Sequence, residues 1–399
     1  MASAWATRTC AGLRFGEFAV IRTGLGHRDG SERQSRRWGR LKVYLRGSMA
    51  ASVAMLAACT TQPLNPFDRQ SPPLALVPLN QAGIVDRRAD FRDAFCSVLQ
   101  KRAGQIPDQM SCEQALTRVA GEPSAQFRSG NKRSSGRRLK VLFVPGVGWD
   151  CMVTWLKPTD SVGEHLRSLS IEFSVVELES LSSSTRNSRS IRDAVMRAAE
   201  DDPGYEYVLL GYSKGTPDIL EAVVSFPEIR KHIAAVVSLA GAVGGSPLAN
   251  RVEGSALGVF RNLPGAQCSL GDGGAIESLR PATRQRWLHD NELPRDFAYY
   301  SIATLPEPAR ISKALRPSYD LLSRVDERND GQLIFYDQII PGSHFLGYLN
   351  ADHWAVAVPI GRSHELVSSL MVDENAFPRE ALLEAILRIV EGDLTLPPH

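Results

Sequence analysis

The sequence predicts an α/β fold, a mostly parallel, doubly wound sheet with helices on both faces. Three observations carry this. Short continuous apolar runs of four to eight residues recur from Leu139 onward. Segments with helical spacing separate them. Glycine-rich turns end several of the runs. Strands that are apolar on both faces belong to parallel sheets covered on both sides.

Taken in order, "LKVLFVPGVGWD" (139–150) reads as a buried strand entering a glycine turn. "IEFSVVELES" (171–180) is a second strand, followed by the helix "SRSIRDAVMRAAE" (188–200). "YEYVLLGYS" (205–213) is a third strand, and "TPDILEAVVSF" (216–226) its helix. "IAAVVSLAGAVGG" (233–245) is a fourth strand. "FAYYSIAT" (297–304), "GQLIFYDQII" (331–340) and "FLGYLN" (345–350) are read as further strands, and "REALLEAILRIVEG" (379–392) as a closing helix. No internal repeat is present.

Upstream, the 399 residues divide by composition. Residues 1–58 carry ten Lys/Arg against three Asp/Glu, whereas the remainder holds 36 basic and 41 acidic side chains. The basic excess therefore sits in the leader, and the folded part has no electrostatic footprint for nucleic acid. The stretch "RRWGRLKVYLRGSMAASVAMLAAC" has a basic run, a short apolar segment and small residues before Cys59, the plan of an export signal and too short to span a membrane. Its ending resembles a bacterial lipobox. That resemblance implies lipidation of Cys59, export, and attachment to a membrane surface through a lipid anchor, in the periplasm or at the cell surface. Thr60, where inner-membrane retention uses aspartate, favours the outer membrane. The leader is long and arginine-rich, which suggests initiation nearer Lys42. Residues 59–84 form a Pro-rich spacer, 85–127 a small helical segment, 128–138 a polar linker, and 139–397 the main domain, with a cap or lid at about 250–295. Cys96, Cys112, Cys151 and Cys268 remain for an oxidising compartment, and Cys96–Cys112 is the favoured disulfide, Cys151–Cys268 the second. No cysteine or histidine spacing suggests a metal, and no cofactor is expected.

The chemistry centres on Gly211-Tyr212-Ser213-Lys214-Gly215 between strand and helix. A Gly-x-Ser-x-Gly match alone is weak. In a strand–turn–helix setting it is the bend that lifts a serine hydroxyl above a sheet edge, beside a helix N-terminus where negative charge develops. A serine hydroxyl needs a base. His344, His353 and His364 are left as candidates: His344 precedes the last strand, His364 lies past the loop, and His353, in "FLGYLNADHWAVAVP", stands just past that strand. For the acid, Asp330 in Asn329-Asp330-Gly331 competes with Asp337 and Asp352, and Asn-Asp-Gly by itself is a turn signal.

These residues resemble the α/β-hydrolase superfamily, and within it the bacterial secreted lipases and esterases. Those enzymes carry Gly-x-Ser-x-Gly, a later "NDG", and a "DH" or "NH" some twenty residues on. The match here is Ser213, Asp330 and Asp352-His353, with "SLRPATRQRWLHDNELP" and "FAYYSIAT" also similar, over roughly residues 139–357. The resemblance implies a Ser213–Asp330–His353 triad cleaving carboxylic esters through an acyl-enzyme, with an acyl-ester or lipid-like substrate. A thioesterase, acyltransferase or polyester depolymerase with the same triad is the alternative, as is a non-catalytic, surface-anchored binding protein. The oxyanion donors are expected to be the amides of Lys214 and of Val147 or Gly148 in Pro145-Gly146-Val147-Gly148, which lacks the His-Gly of many lipases. Lys214 itself is unusual after the nucleophile. Its side chain either favours an anionic substrate or points to solvent, the second being the preferred reading.

Overall fold

The computed structural model describes residues 71–124, 136–151, 159–252, 268–269, 271–363, 372 and 376–395. The leader 1–58, Cys59, the first part of the spacer, residues 125–135 of the linker region, residues 253–267 of the expected cap and His364 lie outside them.

The elements follow the apolar runs. Shorter helices aside, they are in chain order β1 (Val85–Asp86), α1 (Arg88–Lys101), β2 (Leu116–Thr117), β3 (Arg138–Val144), α2 (Asp160–Ser168), β4 (Glu172–Val175), α3 (Ser184–Asp201), β5 (Tyr205–Tyr212), α4 (Gly215–Ser225), β6 (Ile233–Leu239), α5 (Pro281–Asp290), β7 (Ala298–Thr304), β8 (His344–Leu349) and α6 (Arg379–Leu394). The strands form one sheet in the order β1-β8-β7-β6-β5-β3-β4. Every neighbouring pair in that order is parallel. β6 is buried at all seven positions and β5 over its last six, because helices cover both faces. On one face α1, α2 and α6 pack with Phe143, Leu239 and Leu346. On the other, residues of α3 and α4 such as Ile191, Val195, Ile219 and Val223 meet Leu209 and Val236.

Residues 85–117 do more than form a helical segment. α1 buries Phe91, Ala94, Phe95 and Val98 in the core shared with α6 and β8. β1 pairs parallel with the start of β8, at Val85↔His344 and Asp86↔Phe345. β2 pairs antiparallel with its end, at Leu116↔Leu349 and Thr117↔Tyr348. Two short strands thus share the outer edge of β8, which would otherwise present unpaired amides and carbonyls. Disulfides join Cys96 to Cys112 and Cys151 to Cys268.

One expected strand is absent. Within 331–340 the chain forms a 3-10 turn, Phe335–Gln338, instead. The reason lies in Gln338, whose side chain takes the place of a neighbouring strand: its Oε1 accepts from Thr304 N at 2.7 Å and its Nε2 donates to Thr304 O at 3.3 Å. β4 is also shorter than its apolar run, and α2, which the sequence reading left out, lies just before it.

Candidate active site

β5 ends in a bend at Ser213, whose φ of 54° lies in the left-handed region. For a residue with a side chain that conformation is strained by about 1–2 kcal/mol and persists only when neighbours hold it. They do: Ser213 N donates to Leu239 O at 3.2 Å, and Ser213 O accepts from Thr216 N at 3.2 Å and Ala242 N at 3.0 Å. The flanking glycines answer a different need, the close approach of strand and helix. A Cβ on Gly215 would stand 2.0 Å from Val144 O, and one on Gly211 would stand 2.7 Å from Thr216 Cα. The two backbones therefore meet at distances that no side chain permits.

The turn after β8 brings His353 to this bend. Its Nε2 lies 2.9 Å from Ser213 Oγ and its Nδ1 lies 2.8 Å from Asp330 Oδ2. Asp330 is fully buried. Every oxygen of its carboxylate has donors: Oδ1 accepts from Gln332 N at 2.9 Å and Leu333 N at 2.6 Å, and Oδ2 also accepts from Thr304 Oγ1 at 2.5 Å and Gln338 Nε2 at 3.3 Å. A buried anion is tolerable in such a cradle of charge-assisted bonds. The Asn-Asp-Gly signal is thus both a turn and the seat of a buried carboxylate beside His353.

The competing acids are engaged elsewhere. Asp352 is buried and shapes the histidine's loop, accepting from Ser312 N at 2.8 Å, Ala355 N at 2.8 Å and Trp354 N at 3.1 Å. Asp337 lies over Gly244, where a Cβ would come within 2.3 Å of its Oδ1. Burial pushes its pKa up to about 8, the opposite of what an anionic partner for imidazole requires. His344 stands at the start of β8, 3.4 Å from Asp393, and His165 pairs with Glu384 at 2.8 Å.

Lys214 overturns the expectation that it points to solvent. Its side chain is 1% exposed, and its ammonium meets the two oxygens of Asp218 at 2.7 and 2.8 Å. Asn187 Nδ2 donates to the same carboxylate at 2.8 Å. The residue opens α4, one turn before Asp218, in the seam where α4 packs on α3, so solvent is not within its reach.

The loop at 145–148 lies against the serine: a Cβ on Gly146 would be 2.8 Å from Ser213 Cβ. Val147 packs with Cys151 and Leu181, and the Cys151–Cys268 disulfide closes beside it.

Three residues of the site escaped the sequence reading. Thr304 and Gln338 hold Asp330, and Tyr212 donates its phenol proton to His353 O at 2.8 Å. Thr304 at the end of a strand was a visible signal of a kind. Nothing in the sequence links Tyr212 to a carbonyl 141 residues away.

No protein-family model and no curated protein matches the chain. Among solved structures it is similar to the metagenomic carboxyl esterase MGS0156, with 35% identity over 83% of this chain and all of that one, at a TM-score of 0.76. The mature lipase BlEst2 of Bacillus licheniformis is far more distant, with 17% identity over 55% of this chain and 86% of that one, at a TM-score of 0.46. By its likeness over the full length of MGS0156, the chain belongs to the family of that carboxyl esterase and has the α/β-hydrolase fold.

Proposed function

We propose that the protein is a serine hydrolase of carboxylic esters, with Ser213 as nucleophile, His353 as base and Asp330 as the acid that orients it. The observation that carries this is the continuous relay Ser213 Oγ to His353 Nε2, 2.9 Å, and His353 Nδ1 to Asp330 Oδ2, 2.8 Å. The activity of the carboxyl esterase MGS0156 supports the choice of ester over other acyl substrates.

In this reading Ser213 Oγ bonds to the ester carbonyl carbon while its proton passes to His353 Nε2. Asp330 keeps the Nδ1 proton in place, fixes the tautomer and stabilises the imidazolium. The carbonyl oxygen becomes an oxyanion, held by the amide of Lys214 and that of Val147 or Gly148, each such donor contributing about 3 kcal/mol. Collapse expels the alcohol, which takes the proton from His353 Nε2. Water then attacks the acyl-enzyme, losing a proton to the same nitrogen, which returns it to Ser213 Oγ as the Oγ–acyl bond breaks and the acid leaves. The strained bend at Ser213 presents the hydroxyl for this sequence, and α4 directs its N-terminus towards the developing charge.

The protein is further proposed to be exported and anchored through a lipid on Cys59, with an acyl-ester or lipid-like substrate. The lipobox-like run before Cys59 and two disulfides in the described residues support an oxidising compartment. Metabolic labelling with an alkyne-bearing fatty acid, lost in Cys59→Ala, tests the anchor.

A chain-length series of p-nitrophenyl esters, with fluorophosphonate labelling of the same samples, tests the activity. Hydrolysis and labelling are expected in wild type and lost together in Ser213→Ala. A folded wild type that neither labels nor turns over an ester refutes the enzyme reading.

A further inference from the structure

We propose that Tyr212 is a positioning residue for the base, holding the main chain of His353 in the place from which its imidazole reaches both Ser213 and Asp330. This rests on the esterase reading above and adds a residue to it.

His353 is fixed at both ends of its own backbone. Its N–H donates to Asp330 O at 3.1 Å, and its carbonyl accepts the Tyr212 phenol proton at 2.8 Å. The first bond ties the base to the acid. The second ties it to the residue one peptide bond before the nucleophile. Tyr212 is itself rigid: it ends β5, paired to Leu239 of β6, is 4% exposed, and has Trp149 edge-on at 6.3 Å between ring centroids. Its ring also lies 5.3 Å from the imidazole, tilted by 31°. One side chain therefore connects the strained turn at Ser213 to the loop that carries His353, so the two reacting groups keep a common frame. Burial, reinforced by the charges of Asp330 and Asp352, raises the phenol's pKa well above its ordinary value, so the group stays a donor while the enzyme works.

The reason to expect a kinetic effect is geometric. The carbonyl of His353 is buried, and without the phenol it loses its only side-chain donor among the described residues. The loop then relaxes to satisfy that oxygen, and small displacements of a base cost rate disproportionately. Ground-state binding does not involve this bond, so the loss falls on kcat.

The test is Tyr212→Phe, which keeps the ring, assayed on a p-nitrophenyl ester with competent sites counted by end-point fluorophosphonate labelling. The expected result is a fall in kcat per labelled site of about tenfold at a KM within about twofold of wild type. The rate of fluorophosphonate inactivation is expected to fall in step. 4-Aminophenylalanine at position 212, which restores an N–H donor, is expected to recover most of the loss. A kcat per site equal to wild type, or a rise in KM alone, overturns the proposal. If Tyr212→Phe does not fold, tyrosine is compared with 4-aminophenylalanine directly. The weaker donor is then expected to lower kcat about threefold at constant KM, and equal kcat overturns the proposal. Wild type that fails to label sinks the esterase reading, and this inference with it. Wild type that labels beside an unimpaired Tyr212→Phe sinks only the role of Tyr212.

Discussion

Lys214 and Asp218 form a bidentate ion pair, 2.7 and 2.8 Å, with both side chains 1% exposed, one residue beyond Ser213. A pair so buried stabilises little against an apolar substitute, but breaking it strands a charge. Lys214→Met or Asp218→Leu alone is expected to destabilise the protein by about 3–5 kcal/mol, while Lys214→Met with Asp218→Leu recovers much of that. Urea denaturation of the four proteins measures it. Additive losses would show that the pair does not act as a unit.

The seat of Asp330 is expected to divide the effects of its neighbours. Asp330→Asn keeps the shape but stabilises the wrong tautomer of His353, so kcat should fall by about 10⁴-fold. Thr304→Val removes the 2.5 Å bond to Oδ2 and leaves the carboxylate three other protein donors besides His353, so about a tenfold loss is expected. Steady-state kinetics on one ester decide the order. A Thr304→Val enzyme as impaired as Asp330→Asn would contradict this account.

Gly215 is expected to tolerate nothing larger. A methyl there would meet the main-chain oxygen of Val144 at 2.0 Å, so relief requires α4 to leave β3. Gly215→Ala should cost at least about 3 kcal/mol, in contrast to Gly204, where a Cβ meets nothing within 4 Å. Gly204 has a φ of 97°, so its alanine variant carries only the backbone strain, about 1–2 kcal/mol. Melting temperatures of the two variants provide the comparison.

Acid stability is expected to run through Glu384 on α6. Burial raises its pKa, but hydrogen bonds from His165 and Arg102 and the charge of Arg388 outweigh that and hold it at about 2. The folded value is below the ordinary 4.5, so the contribution is complete above pH 4.5 and is lost as pH falls from there towards 2. Glu384→Gln should be less stable than wild type at pH 7, and the gap should narrow on acidification. Melting temperature against pH between 7 and 3 checks the sign. A gap that widens at low pH would mean the carboxylate is not paired as described.

What was legible without coordinates came from local rules. A buried parallel strand must be apolar on both faces, so β3, β5, β6 and β7 announced themselves by composition. The bend at Ser213 was readable because glycines flank it within one strand–turn–helix unit, Gly211 meeting Thr216 of that unit, although the contact that demands Gly215 is with Val144 of β3. His353 followed from its place after the last strand, and Asp330, one of three acids by residue type alone, was singled out by the resemblance and lies 2.8 Å from His353. The rest depended on contacts between residues distant in the chain. Gln338 replaces a strand because Thr304 lies across from it, Lys214 is buried because α3 covers it, and Tyr212 touches His353 because the sheet puts β5 and the β8 loop at one edge. Periodicity and turn chemistry report each segment's own preferences, so they located most of the elements and the candidate residues. Which polar partner each buried group receives is settled only by packing, where burial makes an unpaired donor or charge too costly to leave.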